Sequence, residues 1–322
     1  MSSEPAVTVL MPAYNAEKNI AEAISSVLQQ TFSDFELLII NDGSTDDTEK
    51  IIRSFSDPRI VVINQTNHGV AAALNTGLKY SKAKYIARFD ADDICFPDRL
   101  QTQFFYMESN PEFGVIGSSV NYTDMNGSYL FTFNPSAISD IEIQNLEYTI
   151  CPFIHSSVFY KKSIVISNGG YDKNAYNFED HLLWLNILKK TKAYNLTQPL
   201  LKVRFNPDSV TIEGKRRGKR FQEIKYSSLR KGFVTDDEGK ELLKIRAEQY
   251  NRKVNHVAYH SLLAKKFLWN NYNPKKSRQN IKQALLHNLF DWRSYCLFCL
   301  SLLPEKLIRK MYNLVKGGNY AS

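Results

Sequence analysis

Residues Arg88-Phe89-Asp90-Ala91-Asp92-Asp93 set three carboxylates within four positions, at the end of the apolar run Tyr85 to Phe89. At protein-like dielectric, three anions this close repel one another by several kcal/mol, so a positive partner belongs among them. An all-oxygen donor set suits a hard divalent cation, Mg²⁺ or Mn²⁺. The competing interpretation of this stretch alone is an acidic turn in which Asp93 or Asp98 caps the following helix.

The elements around these acids repeat one pattern. Val7 to Met11 is a short β-rich run stopped by Pro12, with Asn15 offered as an N-cap to a helix carrying Ile20, Ile24, Val27 and Leu28. Phe35 to Ile40 is nearly all apolar, as expected of a strand buried on both faces. It ends in Asn41-Asp42-Gly43-Ser44, where Ser44 and Asp47 have the spacing of a capping box for a helix through Phe55. Arg59 to Ile63 forms a third strand, leading to Asn67-His68-Gly69 and a helix with Val70, Leu74 and Leu78. The fourth strand ends at the acids, and a further helix begins at Pro97. Strand–helix alternation of this kind predicts an α/β fold with a mostly parallel sheet covered by helices on both faces. Ligands in such sheets sit beyond the carboxyl ends of the strands, so Pro12 to Asn15, Asn41 to Gly43, Asn67 to Gly69 and Asp90 to Asp93 should converge on one cleft.

Composition narrows the function classes. The chain has 322 residues, 43% of them hydrophobic and 23% charged, which excludes a wholly disordered chain. No Gly-x-Gly-x-x-Gly follows the first strand and no P-loop occurs, so neither a dinucleotide site nor a Walker nucleotide site is indicated. Pro12-Ala-Tyr-Asn15 is not the Gly- and Arg-rich loop of a sugar nucleotidyltransferase. The first residues lack a basic cluster and apolar core, so no signal peptide is expected, and Tyr295 to Leu303 is too short to span a bilayer. Four cysteines make no disulfide framework, which points to a reducing cytoplasm. The formal net charge of +8 divides sharply: residues 1–214 carry 17 Lys+Arg against 25 Asp+Glu, and residues 215–322 carry 24 against 8. The expected organisation is therefore a catalytic domain over 1–214 and a basic helical region over 215–322. Basic charge without a zinc-finger, RNP or helix-turn-helix pattern does not indicate a nucleic-acid partner.

The combination Val9-Leu-Met-Pro-Ala-Tyr-Asn15, Ile40-Asn-Asp-Gly-Ser-Thr-Asp46, Asn67-His-Gly-Val-Ala-Ala-Ala-Leu-Asn75 and Asp90-Ala-Asp-Asp93, with Pro97 and Arg99-Leu100, resembles family 2 glycosyltransferases of the GT-A fold over about residues 6–205. Gly169-Gly-Tyr171, Phe178-Glu-Asp180 and Leu183-Trp184 resemble the family's acceptor-side segment. The resemblance implies a GT-A, Rossmann-like domain with a C-terminal helical extension. It further implies an inverting, metal-dependent transfer from a nucleotide sugar, UDP-linked on this basis, to a saccharide hydroxyl in surface-polysaccharide assembly. The alternatives from other classes are a non-catalytic nucleotide-sugar or polysaccharide-binding module and a sugar nucleotidyltransferase.

The same resemblance distributes roles. Pro12, Tyr14, Asn15, Asp42, Asn67, Gly69, Asp90 and Ala91 would line the nucleotide, with Asp42 accepting from the uracil imide and Tyr14 or Pro12 covering the ring. Asp92 is similar to the direct metal ligand, and Asp90 to the ribose- or metal-side carboxylate. Asp180 is similar to the general base, with Glu179 as the adjacent alternative, and His155, Glu179 and Trp184 fall on the acceptor or diphosphate side. His181 stands where an aromatic residue is common. Lys215 to Arg220 is a basic run at the head of a helical tail, read as helices over Glu241–Trp269 and Ser277–Phe290 with two short ones around Pro304. Apolar segments among these charges suggest peripheral contact with the anionic inner face of the cell membrane, where a lipid-linked acceptor would be found. Cys296-x-x-Cys299 has no partner cysteines nearby and is read as apolar packing, in the core or facing a membrane.

Overall fold

The computed structural model describes residues 4–146, 148–206, 218–249, 252–269 and 272–318. Of these, the ones within 1–122, 132–204 and 218–245 form one compact unit, and those within 123–131, 205–217 and 246–322 form another.

The first unit opens with β1 (Val7–Ala13), α1 (Ile20–Leu28), β2 (Phe35–Asp42), α2 (Thr48–Arg53), β3 (Ile60–Gln65), α3 (Val70–Tyr80) and β4 (Tyr85–Arg88). β5 (Ile94–Cys95), α4 (Arg99–Ser109), β6 (Phe113–Thr123), β7 (Tyr129–Phe133), α5 (Asp140–Asn145) and a 3₁₀ turn at His155–Ser157 follow. β8 (Phe159–Lys161), α6 (Lys162–Ser167), α7 (Glu179–Leu188), β9 (Lys192–Arg204) and α8 (Lys219–Lys231) lead into α9 (Asp236–Gln249), whose residues 246–249, like 129–131 of β7, count with the other unit. The strands lie in the order β3-β2-β1-β4-β8-β6-β9-β5, with β7 paired to β6. β1 pairs in parallel with β2 and β4, and β2 with β3, while β8 runs antiparallel to both β4 and β6.

Alternation along β1 and β2 builds a core on each face. Val7, Val9, Met11, Phe35, Leu37 and Ile39 pack with Ile20, Ile24 and Val27 of α1 and with Leu100 and Met107 of α4. Leu10, Leu38 and Ile40 pack on the other side with Leu74 and Leu78 of α3 and with Leu183, Trp184 and Ile187 of α7. Every residue of β2 is buried, because a central parallel strand covered on both faces has no solvated side. The expected α/β architecture is borne out. Strand order reverses between β1 and β4, the point at which sheets of this kind place a ligand crevice, beside the loops after both strands.

Several local expectations change. Asn15 does not cap α1: it sits at φ 48, and Asn19 is the N-cap. No capping box forms at Ser44, and α2 starts at Thr48 behind Asp47. The reason is competition from the loop after β1. Asn15 N donates to Ser44 Oγ (3.0 Å), Thr45 N to Asn15 Oδ1 (2.8 Å), Ala16 N to Thr48 Oγ1 (2.7 Å) and Asp47 N to Glu17 Oε2 (3.1 Å). The polar groups that would cap a helix instead zip two strand-end loops together. The helix expected from Pro97 begins at Arg99, capped by neither Asp93 nor the Asp98 side chain, which accepts from Gln198 Nε2 at 2.7 Å.

The second unit contains α10 (Arg252–Trp269), α11 (Pro274–His287), α12 (Trp292–Leu300) and α13 (Glu305–Gly318). Of the helix expected over Glu241–Trp269, the described residues are helical on both sides of 250–251, in α9 and in α10, and 250–251 themselves lie outside the described residues. α11 starts before Ser277 because Pro274 takes the first turn and the Asn273 side chain accepts from Lys276 N. It ends at His287, three residues short of Phe290. Lys215 to Arg217 of the basic run lie outside the described residues, while Gly218 precedes α8 and Arg220 pairs with Glu241 across α8 and α9.

Candidate functional site

Asp42 ends β2 with its carboxylate directed inward and 3% exposed. It accepts from His68 N (3.0 Å), Gly69 N (2.8 Å) and Gln65 Nε2 (2.6 Å), so it fastens the loop after β3 to the end of β2. Gly43 lets the chain turn there: its φ is +72°, and a Cβ would stand 2.7 Å from Asn67 N. These bonds satisfy three of the roughly four lone-pair sites of a carboxylate. Tyr14 (51% exposed), Asn67 and Gly69 are exposed in the loops after β1 and β3, and Pro12 is half-buried.

Across the crevice, one ligand oxygen from each of Asp90, Asp92 and Asp93 falls within 4.8 Å of the others. The three are not equivalent. Asp90 forms an ion pair with Arg88, while Asp93 is 1% exposed and accepts from Arg204 N at 3.1 Å. Asp92 is half-buried, and burial plus the charge of Asp90 push its carboxyl up to about 6. Asp93 is pushed well above the usual carboxylate range by burial and by both neighbours. This donor set is all-oxygen, crowded and electrostatically frustrated, and it fits a hard divalent cation held by Asp92, with Asp90 within reach. Ala91 is buried between them.

Two arginines outside the expected site hold this turn. Arg88 interrupts the apolar β4 and is 4% exposed. Its guanidinium pairs with Asp90, and its charge is felt at Asp92, Asp93, Glu179, Asp180 and His155 as well, so the acids after β4 and those at the head of α7 share the influence of one buried cation. Arg204 ends β9, donates from Nη1 to Asp92 O (2.6 Å) and pairs with Glu22 of α1. A charged residue inside the run Tyr85 to Phe89 was a visible signal for Arg88. For Arg204, 111 residues from Asp93, no local signal exists. Arg99, part of the quoted motif, is fully buried and donates to Arg88 O (2.6 Å) and Ser156 O (2.9 Å), tying β4 to the turn that carries His155.

The acceptor-side residues follow. Gly169 and Gly170 have φ of +84° and +77°, and Asn75 of α3 bonds both backbone groups of Tyr171, its Nδ2 donating to the carbonyl and its Oδ1 accepting from N–H, each at 2.8 Å. This turn is fixed in place. It carries Tyr171, whose hydroxyl meets His155 Nε2 at 3.1 Å. Burial and Arg88 hold the His155 imidazole well below its usual range, so it is neutral at neutral pH. Trp184 is fully buried, packed on Phe153, His155, Tyr160 and Tyr171. Glu179 and Asp180 start α7. Asp180 Oδ1 accepts from His181 N (2.7 Å), and Oδ2 faces Cys151 Sγ (3.6 Å). Burial and the charge of Asp180 push Glu179 up to about 7. Burial also raises Asp180, against the opposing pull of the His181 N–H, Arg88, Cys151 and Lys225. His181 is 2% exposed and pushed down to about 4 by burial and Lys225, so it packs in the interior rather than facing a ligand.

The family model described as Glycosyl transferase family 2 matches residues 8–168. The amylovoran biosynthesis glycosyltransferase AmsE of Erwinia amylovora is 35% identical over 217 residues, covering 66% of this chain and 79% of that protein. WfgD of Escherichia coli, a UDP-Glc:alpha-D-GlcNAc-diphosphoundecaprenol beta-1,3-glucosyltransferase, is 32% identical over 226 residues, or 68% and 82% of the two chains. Among solved structures, S. aureus TarS 1–349 with UDP-GlcNAc aligns over 96% of this chain and 91% of its own, with a TM-score of 0.52 and 17% identity. The mannosyltransferase PcManGT of Pyrobaculum calidifontis, with GDP-Man and Mn²⁺, aligns over 97% and 88%, with a TM-score of 0.54 and 16% identity. At these identities the structural matches speak to the fold.

Proposed function

Because this chain belongs to glycosyl transferase family 2, we propose that it moves a sugar from a UDP-linked donor to a hydroxyl of a lipid-linked saccharide, with inversion at the anomeric carbon. The reaction would serve assembly of a surface polysaccharide. One observation carries this reading: Arg88 unites the acid triplet at the strand-order reversal with the two acids that open α7. A donor diphosphate and an acceptor hydroxyl can therefore be served from one crevice. UDP is favoured because WfgD, similar in sequence, uses UDP-Glc, whereas the likeness to the GDP-Man enzyme is one of fold.

In this mechanism the base and ribose lie between Tyr14, Pro12 and Asn15 on one side and the Asn67–Gly69 edge on the other. Asp42 holds that edge closed and has one acceptor site left for the uracil imide. Asp90 serves the ribose side and Asp92 the metal. A bound Mg²⁺ or Mn²⁺ supplies Lewis-acid stabilisation of the charge that grows on the departing diphosphate. Asp180 takes the proton of the attacking hydroxyl. It is the better base of the adjacent pair, because burial first and the charge of Asp180 second keep Glu179 protonated up to about pH 7. Glu179, His155 and the Tyr171 hydroxyl line the acceptor side, with Trp184 setting the position of the two rings.

The second unit would face the membrane. No described helix is long and apolar enough to cross one. Leu286, Leu289, Phe290, Trp292, Tyr295 and Phe298 are nevertheless exposed, Phe290 at 93%. Cys296 and Cys299 are exposed on the same helix, which favours the membrane-facing alternative over core packing for this pair. Ile308 is buried, and the side chains expected to extend this surface from Tyr312 onward lie outside the described ones. Apolar side chains set among excess basic charge match the inner face of the cytoplasmic membrane, where a lipid-linked acceptor would be found.

The test is metal-dependent release of nucleoside diphosphate from a panel of nucleotide sugars with a lipid-linked acceptor, alongside donor calorimetry with Mn²⁺, Mg²⁺ or chelator. UDP-sugar turnover and donor affinity that both require the metal are expected. Equal donor affinity in chelator would remove the metal from Asp92, and release of pyrophosphate from a nucleoside triphosphate would change the reaction class.

A further inference from the structure

Three of the six histidines in the chain, His256, His260 and His287, gather in the second unit, remote in sequence from every residue assigned to donor, metal or acceptor above, although His287 adjoins the exposed Leu286. One ring nitrogen from each falls within 4.8 Å of the others. His256 and His260 are four residues apart on α10 and so share one face of that helix. His287 ends α11, which packs along α10. We propose that these three imidazoles form a binding site for a borderline divalent metal ion, Zn²⁺, bridging α10 to α11.

The second shell supports the assignment. Asn280 of α11 donates from Nδ2 to Lys276 O at 3.0 Å, which turns its Oδ1 toward His260. That oxygen lies 3.0 Å from His260 Nδ1. Since Asn Oδ1 only accepts, Nδ1 carries the proton and the lone pair of His260 is on Nε2. A ring nitrogen hydrogen-bonded behind a metal-binding one is the usual device for orienting such ligands.

Three imidazoles with a fourth position open to water suit Zn²⁺, and the exposure of His287 gives the ion a way in. The basic surroundings do not decide against it: exposed charges are screened over about 8 Å in physiological salt, whereas coordination is direct. The span His256-Val-Ala-Tyr-His260 lacks the glutamate that makes paired helical histidines hydrolytic, so the site would join two helices rather than cleave a substrate. It shares no residue with the oxygen-rich cluster at Asp92.

The experiment is titration of chelator-stripped, untagged full-length protein with Zn²⁺ alone, followed by calorimetry. One equivalent should bind, be weakened at least about 100-fold in His260→Ala and His287→Ala, and persist in Asp92→Asn. Asn280→Ala should weaken it by about 10–100-fold. Metal-free melting temperatures establish that each variant folds. As a second readout on unaltered protein, Co²⁺ should give the intense visible bands of a four-coordinate site, absent in His287→Ala. Zinc binding unchanged by the histidine substitutions, no zinc binding at all, or only weak six-coordinate Co²⁺ bands would overturn the proposal and leave the three rings as packing.

Discussion

At Asp180 the two carboxylate oxygens have different company, one accepting the His181 N–H and the other meeting the Cys151 thiol. A base so placed is oriented before the acceptor arrives. Substituting Asp180→Asn should keep metal-dependent donor affinity and lower transfer by at least about 10²-fold, since a positioned general base contributes about 10²–10⁴-fold. Glu179→Gln should do less. Near-normal transfer by the Asp180 variant, or a product of retained anomeric configuration, would exclude this role. Glu179 makes its own prediction through stability. Its carboxyl titrates at about 7 when folded, against an ordinary value of 4.5. Between those values the folded chain holds a proton that the unfolded chain has released, so the group's contribution falls as pH rises through the window. Denaturant midpoints at pH 5 and pH 8 should therefore show Glu179→Gln gaining on the unaltered protein at the higher pH; a gain at the lower pH would contradict the burial that raises the group.

Among the elements, the contact between α3 and the Gly169–Tyr171 turn joins the nucleotide half to the acceptor half. Asn75, which closes the Asn67–Asn75 motif, bridges both polar groups of Tyr171. The glycine pair Gly169-Gly170 forms a turn with two left-handed residues. Gly170→Ala meets two obstacles, a φ of +77° and a Cβ only 2.5 Å from Asn75 Oδ1. It should cost about 1–3 kcal/mol from the backbone conformation alone, and more with the overlap. The overlap vanishes if Asn75 is truncated. The penalty measured in an Asn75→Ala background should therefore be smaller than in the parent, with a coupling of at least about 0.5 kcal/mol in a double-mutant cycle of unfolding free energies. Strict additivity would mean that the turn moves away from α3.

For the whole molecule, charge is the organising quantity. The net-negative stretch of residues 1–214 needs cations at its site, supplied internally by Arg88, Arg99 and Arg204 and, on the proposed mechanism, by the metal. The stretch from 215 onward has 24 basic residues against 8 acidic ones, together with the exposed side chains of Phe290 and Trp292. Each basic residue near an anionic leaflet contributes about 1 kcal/mol before screening. Co-sedimentation should show binding to vesicles rich in anionic lipid, little to neutral vesicles, and release with salt. Phe290→Ser with Trp292→Ser should weaken the anionic binding further. Equal binding to both lipid types, or none, would return this surface to another role.

What the sequence determined by itself was the repeat of strand and helix, the acid triplet at a strand end, and the acidic start of α7. Each of these is encoded within a dozen residues, through side-chain periodicity or direct adjacency. Caps and boundaries were less legible, because the groups that satisfy them come from elsewhere in the chain. Ser44 was drawn off by Asn15 and Asp98 by Gln198. Only the tertiary structure decided that Asp42 is engaged with the 67–69 loop, that Trp184 is interior, and that Arg204 clasps Asp92 and Asp93 from 111 residues away. It also decided that His256, His260 and His287, separated by as much as a helix and a turn, stand together. Burial and long-range pairing depend on which surfaces the sheet brings into contact, and no local window of sequence contains that information.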